Sequence, residues 1–62
     1  MHTEPAAAPA PITAAQVAAL AAAAIESAVR HEHAPTHENR VAMNLALMTY
    51  ETAKVLLAAQ AA

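Results

Sequence analysis

Arg30-His31-Glu32-His33-Ala34-Pro35-Thr36-His37-Glu38 is the stretch that decides the fold. Pro35 has no backbone N–H and drives Ala34 out of the α region, so a helix arriving from the left must stop at or before Ala34. Thr36 is a good N-cap and Glu38 suits the positive end of a helix dipole, so a second helix begins at once. With a connection of about four residues the two helices are antiparallel neighbours.

The flanking segments fit this division. Thr13-Ala14-Ala15-Gln16 has the form of a capping box, with Ile12 and Val17 spaced as a hydrophobic staple. Before it, Pro5, Pro9 and Pro11 alternate with alanines and no periodicity is visible, which predicts an extended or disordered tail. The expected organisation is a tail over 1–12 and a helical hairpin over 13–62, with helix 1 at about 13–32, a loop at 33–36 and helix 2 at about 37–60.

Composition supports an all-α reading. The 62 residues include no glycine and no cysteine, so there is little from which to build hairpin turns and no disulfide to brace a small core. Much of the 58% hydrophobic content is alanine, and Tyr50 is the single aromatic residue. Alanine favours helix strongly but buries little area, so helix formation is easy while tertiary stability is scarce. A core of this size rarely supplies more than about 3 to 5 kcal/mol unaided.

At about 100° per residue, Val17, Leu20, Ala21, Ala24, Ile25 and Ala28 form the apolar stripe of helix 1, with Val29 on its edge. Gln16, Glu26, Ser27 and Arg30 fall on the opposite side, and Glu26 and Arg30 have the spacing of an ion pair. Three alanines in the stripe predict a close helix–helix approach. On helix 2, Val41, Leu45, Met48, Thr52, Val55 and Ala59 recur in steps of four and three, and this seam is expected to face the core both within the hairpin and between hairpins. Ala42, Ala46, Tyr50, Ala53 and Leu57 form a lateral set about 120° away. Arg40, Asn44, Glu51 and Lys54 mark the wet side, with Met43 and Leu47 beside it.

Helix 2 is therefore apolar over more of its circumference than one partner helix can cover. The expected solution is a homodimer of hairpins forming a four-helix bundle, or a higher helical oligomer, or a hairpin set on a larger protein as an accessory subunit. The interface would be drawn from Val17, Leu20, Ile25, Val41, Met43, Leu45, Leu47, Met48, Tyr50, Val55, Leu56 and Leu57. Asn44 and Thr52 are candidate register-setting polar groups.

Other functions have little to stand on. Arg30, Arg40 and Lys54 are the whole basic complement against a net charge of −2, which gives no footprint for nucleic acid or an anionic membrane. The uncharged run from Pro5 to Ile25 opens with prolines, continues mainly in alanine and has no Lys or Arg before it, so it reads neither as a membrane span nor as a signal peptide. A cytoplasmic protein is expected. No phosphate loop, activated nucleophile or paired acids occur, so no enzyme and no organic cofactor are expected. The one metal-compatible cluster is His31, His33 and His37, with Glu32 and Glu38 interleaved, whose donors suit zinc, nickel or copper. Pro35 breaks the helical register between His33 and His37, and the histidines equally suit helix ends; metal binding is the alternative function, not the leading one. No motif ties the chain to a family, and the likeness to other dimerising hairpins is one of shape alone.

Overall fold

The computed structural model describes residues 10–61, in which two helices run antiparallel: α1 (Ala14–His33) and α2 (His37–Ala61). The expected tail over 1–12 lies outside the described residues except for its last three, Ala10 to Ile12.

Both ends of α1 and the start of α2 have local causes. Thr13 is extended at φ −110° and ψ 158°, its Oγ1 accepts from the Gln16 N–H at 3.1 Å, and the Gln16 Oε1 accepts from the Thr13 N–H at 2.8 Å. Two of the orphan donors at the start of α1 are thereby satisfied. At the other end Ala34 caps the helix, its N–H donating to the Arg30 carbonyl at 2.9 Å, and Arg30, His31 and His33 occupy the last turn, where a helix dipole favours positive charge. The chain then reverses in a tight turn at Pro35, closed by the Thr36 N–H on the Ala34 carbonyl at 2.8 Å. Thr36 Oγ1 accepts from the Asn39 N–H at 3.1 Å, and Asn39 Nδ2 donates back to the Ala34 carbonyl at 2.9 Å. Helix start and turn are thus locked to one another by Asn39.

The helices meet through small residues. Ala24 of α1 and Ala53 of α2 are the two buried residues among those described, at 4% and 3% exposure. Around them Val17, Leu20, Ala21, Ser27, Ala28 and His31 on α1, and Asn39, Met43, Ala46, Tyr50 and Leu57 on α2, are half-buried. This corrects the expected phase of α2 within the hairpin. The hairpin contact is made by the lateral set, through Ala46, Tyr50, Ala53 and Leu57 with Met43, whereas the seam residues Val41, Leu45, Met48 and Val55 face water. The close approach rests on its centre, where Ala24 of α1 and Ala53 of α2 are buried, with Met43, Tyr50 and Leu57 half-buried around them.

Helix 1 needs a smaller correction. Its contact stripe is centred on Ala24 and extends to Ser27 and His31, leaving Ile25 and Val29 exposed, and Ser27 is not on the wet side where its polarity placed it. The ion pair among the described residues is Lys54 with Glu51, not Glu26 with Arg30.

Candidate interaction surface

Because α2 uses the side bearing Ala46 and Ala53 for the hairpin, together with Met43, Tyr50 and Leu57, its other large side chains are turned outward. Leu45 is 58% exposed, Met48 64%, Val55 67%, Leu56 51% and Val41 41%. With Thr52 and Ala59 they form a stripe centred about 150° around α2 from the hairpin contact, from a rotation of about 100° per residue. Glu51 and Lys54, the charged residues of α2 beyond Arg40, both fall outside this stripe.

The stripe continues into the groove between the helices, where Ile12 and Leu20 face Leu45, Met48, Thr49, Thr52 and Leu56. Thr49 makes this wall less polar than its type suggests. Its Oγ1 donates to the Leu45 carbonyl one turn back at 2.8 Å, so the hydroxyl is satisfied within the helix. Toward the open end the groove is lined by Ala10, Gln16 and Ala19 with Ile12, Leu20 and Leu56.

Sequence reasoning missed the clasp that closes this end. The Ile12 N–H donates to Gln60 Oε1 and Gln60 Nε2 donates to the Ile12 carbonyl, both at 2.8 Å. One side-chain amide thus pairs with both polar groups of one peptide residue, much as a neighbouring strand would. The partners are 48 residues apart, and a glutamine near a chain end carries no signal of such a bond. The clasp fixes the entry to α1 over the end of α2 and places Ile12 in the groove.

The opposite side of the hairpin is mixed. Ile25, 65% exposed, and Leu47, 41% exposed, line a second shallow groove with Ala21, Ala24, Ala28 and Tyr50. Charge borders it: Lys54 Nζ lies 4.7 Å from the centre of the Tyr50 ring and 3.1 Å from Glu51 Oε2. The hydrogen bond to Glu51 is the main reason the lysine is held above its ordinary pKa.

At the turn, His31 is half-buried against the helix contact, while His33 and His37 are exposed. Arg40 Nη2 approaches His37 Nδ1 at 3.1 Å, a bond in which the guanidinium donates and the ring nitrogen accepts. Among the described residues no three histidine, cysteine, aspartate or glutamate side chains are gathered as a metal site. Of the residues named from sequence, the structure brings Leu20, Leu45, Met48 and Leu56 together at one groove and Ile25, Leu47 and Tyr50 at the other. Val17, Met43 and Leu57 belong to the contact within the hairpin. Among the described residues no helix is long and apolar enough to cross a membrane.

No family model, no curated protein and no solved structure matches this chain.

Proposed function

We propose that this protein is a non-enzymatic helical-hairpin oligomerisation module whose smallest working state is a homodimer, and that pairing completes a core which one copy lacks. One observation carries the reading: two alanines are buried among the described residues while Val41, Leu45, Met48, Val55 and Leu56 are 41 to 67% exposed along one side of α2. Their exposed fractions add up to nearly three large apolar side chains, and covering them is worth about 4 to 8 kcal/mol per copy at the usual burial value. Two copies contribute twice that, against an association cost of roughly 4 to 15 kcal/mol. A dimer is therefore within energetic reach, whereas a lone hairpin keeps most of its apolar residues in water.

Sedimentation equilibrium and thermal melts over a concentration series test the proposal. A dimer at micromolar concentration and a melting temperature that rises with concentration are expected. A folded monomer with a concentration-independent melt refutes it.

The groove of Ile25, Leu47 and Tyr50 supports a second reading, in which the module is also an accessory subunit of a larger protein. It lies on the other side of the hairpin from the α2 stripe and stays open when that stripe is covered. Co-purification from the native source tests this; recovery of the homo-oligomer alone argues against it.

A further inference from the structure

We infer that two copies pair through the exposed α2 stripe in antiparallel fashion, about a two-fold axis that crosses α2 at the level of Tyr50, between Met48 and Thr52. The inference rests on the dimer proposed above and adds which surface is shared and in which direction.

The stripe is unchanged on reversal. Val41, Leu45, Met48, Thr52, Val55 and Ala59 are separated by steps of four, three, four, three and four, the same sequence of steps from either end. A two-fold axis perpendicular to the helix then brings Val41 beside the partner's Ala59, Leu45 beside the partner's Val55 and Met48 beside the partner's Thr52. Each large side chain meets a smaller one, the arrangement that lets facing layers interdigitate without voids. The axis is one residue from the midpoint of α2, so nearly the full length of the helix is shared.

A parallel pairing uses the same residues less well. It stacks each residue on its own copy, so Ala59 meets Ala59 and leaves space while Met48 meets Met48. It also sets Glu38, which continues the four-three spacing one step before Val41 and its neighbour Leu45, against the partner's Glu38, a like-charge contact at the edge of an apolar seam.

The helix dipoles favour the antiparallel direction, which also keeps the two Glu38 side chains at opposite ends. The last turn of α2 has no basic residue to oppose its dipole. Antiparallel overlap brings the partner's Arg40 and the partner's Glu38 together to that end, where their charges offset, and sets the two helix dipoles in opposite directions side by side. Glu51 approaches its own copy beside the axis, but each is already bonded to its own Lys54 at 3.1 Å.

The area is of the right order for a second copy. Fully exposed side chains of this type offer about 100 Å² each, so the five large residues leave about 300 Å² of apolar surface, and Ile12, Leu20, Thr49, Thr52 and Ala59 extend the patch toward the roughly 800 Å² per partner of a standard interface. A small, charge-free, self-complementary stripe of this kind fits its own copy.

The chain has no cysteine, so a single introduced thiol gives a single spin label. Glu51→Cys and Ala58→Cys are both exposed and outside the seam. For the antiparallel dimer the two residue-51 labels lie at nearly the same level, whereas the residue-58 labels are about 24 Å apart along the axis at about 1.5 Å per residue. Pulsed electron resonance should therefore read a much longer separation at 58 than at 51. Equal separations at the two sites, or the longer one at 51, overturn the antiparallel pairing while leaving the dimer in place. Sedimentation of the same samples separates the other failure: monomers at roughly 100 micromolar, a concentration that reveals even weak pairing, overturn the dimer as well.

Discussion

Replacing Leu45 by alanine separates the stability of one hairpin from that of its assembly. Leu45 is 58% exposed in the single copy, so less than half of its surface is covered there. Full burial of a leucine is worth about 1.5 to 3 kcal/mol, so the isolated hairpin loses about 1 kcal/mol or less on truncation. Pairing covers the remainder against the partner's Val55. Truncation then removes about 1 to 2 kcal/mol per copy at the interface, and two copies lose about 2 to 4 kcal/mol, which weakens dimerisation roughly 30- to 1,000-fold. Ile25→Ala is the matched control, since Ile25 is 65% exposed but lies on the other side of the hairpin. Its dimer affinity should change by no more than about 0.5 kcal/mol. Sedimentation equilibrium gives both affinities, and circular dichroism at low concentration gives the monomer's stability. If Leu45→Ala dimerises as wild type does while Ile25→Ala dissociates, the α2 stripe is not the interface and the helical phase carries no weight in locating it.

The remaining expectations concern the hairpin and its turn. Ala24→Leu places a large side chain where 4% of the residue is exposed and should cost about 1 to 3 kcal/mol through overpacking, read as a lowered melting temperature. Gln60→Ala removes both bonds to Ile12 and should destabilise by about 0.5 to 1.5 kcal/mol, with hydrogen exchange quickened at the Ile12 amide and not at the turn. Thr36→Ala removes the acceptor for the Asn39 N–H and should cost about 1 kcal/mol, with fraying confined to the start of α2 in amide exchange. Titration with zinc, nickel or copper should show no stoichiometric binding tighter than micromolar; tight binding lost on replacing His31, His33 and His37 together would restore the metal alternative. For Lys54 the folded pKa is raised, so its small contribution is fully present below the ordinary lysine value of about 10.4 and is lost as pH rises through the raised value. Melts of wild type and Lys54→Ala should accordingly have the same pH dependence between neutrality and mild alkali.

Both ends of α1 and the start of α2 were legible in the sequence because each is written in local chemistry. Thr13 and Gln16 form the reciprocal cap that their spacing predicts, and Pro35 turns the chain where its missing N–H requires. The phase of α2 was harder to read. Its apolar residues form two sets, and hydrophobic size ranks the leucine and methionine set above the alanine-bearing lateral set as the core. In the folded chain the order is reversed, because closeness of approach depends on the fit of both surfaces, here centred on Ala24 and Ala53. The grooves follow from that choice and could be read only after it. The Gln60 clasp was illegible for another reason: it depends on where the entry to α1 meets the last turns of α2, which no local pattern records.

The partition of residues between the two faces of α2 bears on how a dimer of this kind would form. Alanine contacts are short and numerous but release little apolar surface, so the hairpin contact fixes the geometry of the two helices more than it stabilises them. Val41, Leu45, Met48, Val55 and Leu56, a large share of the apolar area of α2, are held at the second face, where burial depends on a second molecule. If that molecule is another copy, folding free energy is tied to chain concentration and the hairpin is marginal when dilute. The arrangement therefore couples helix packing to assembly, and a substitution on the outward face is expected to lower the population of folded chains even though it touches neither Ala24 nor Ala53.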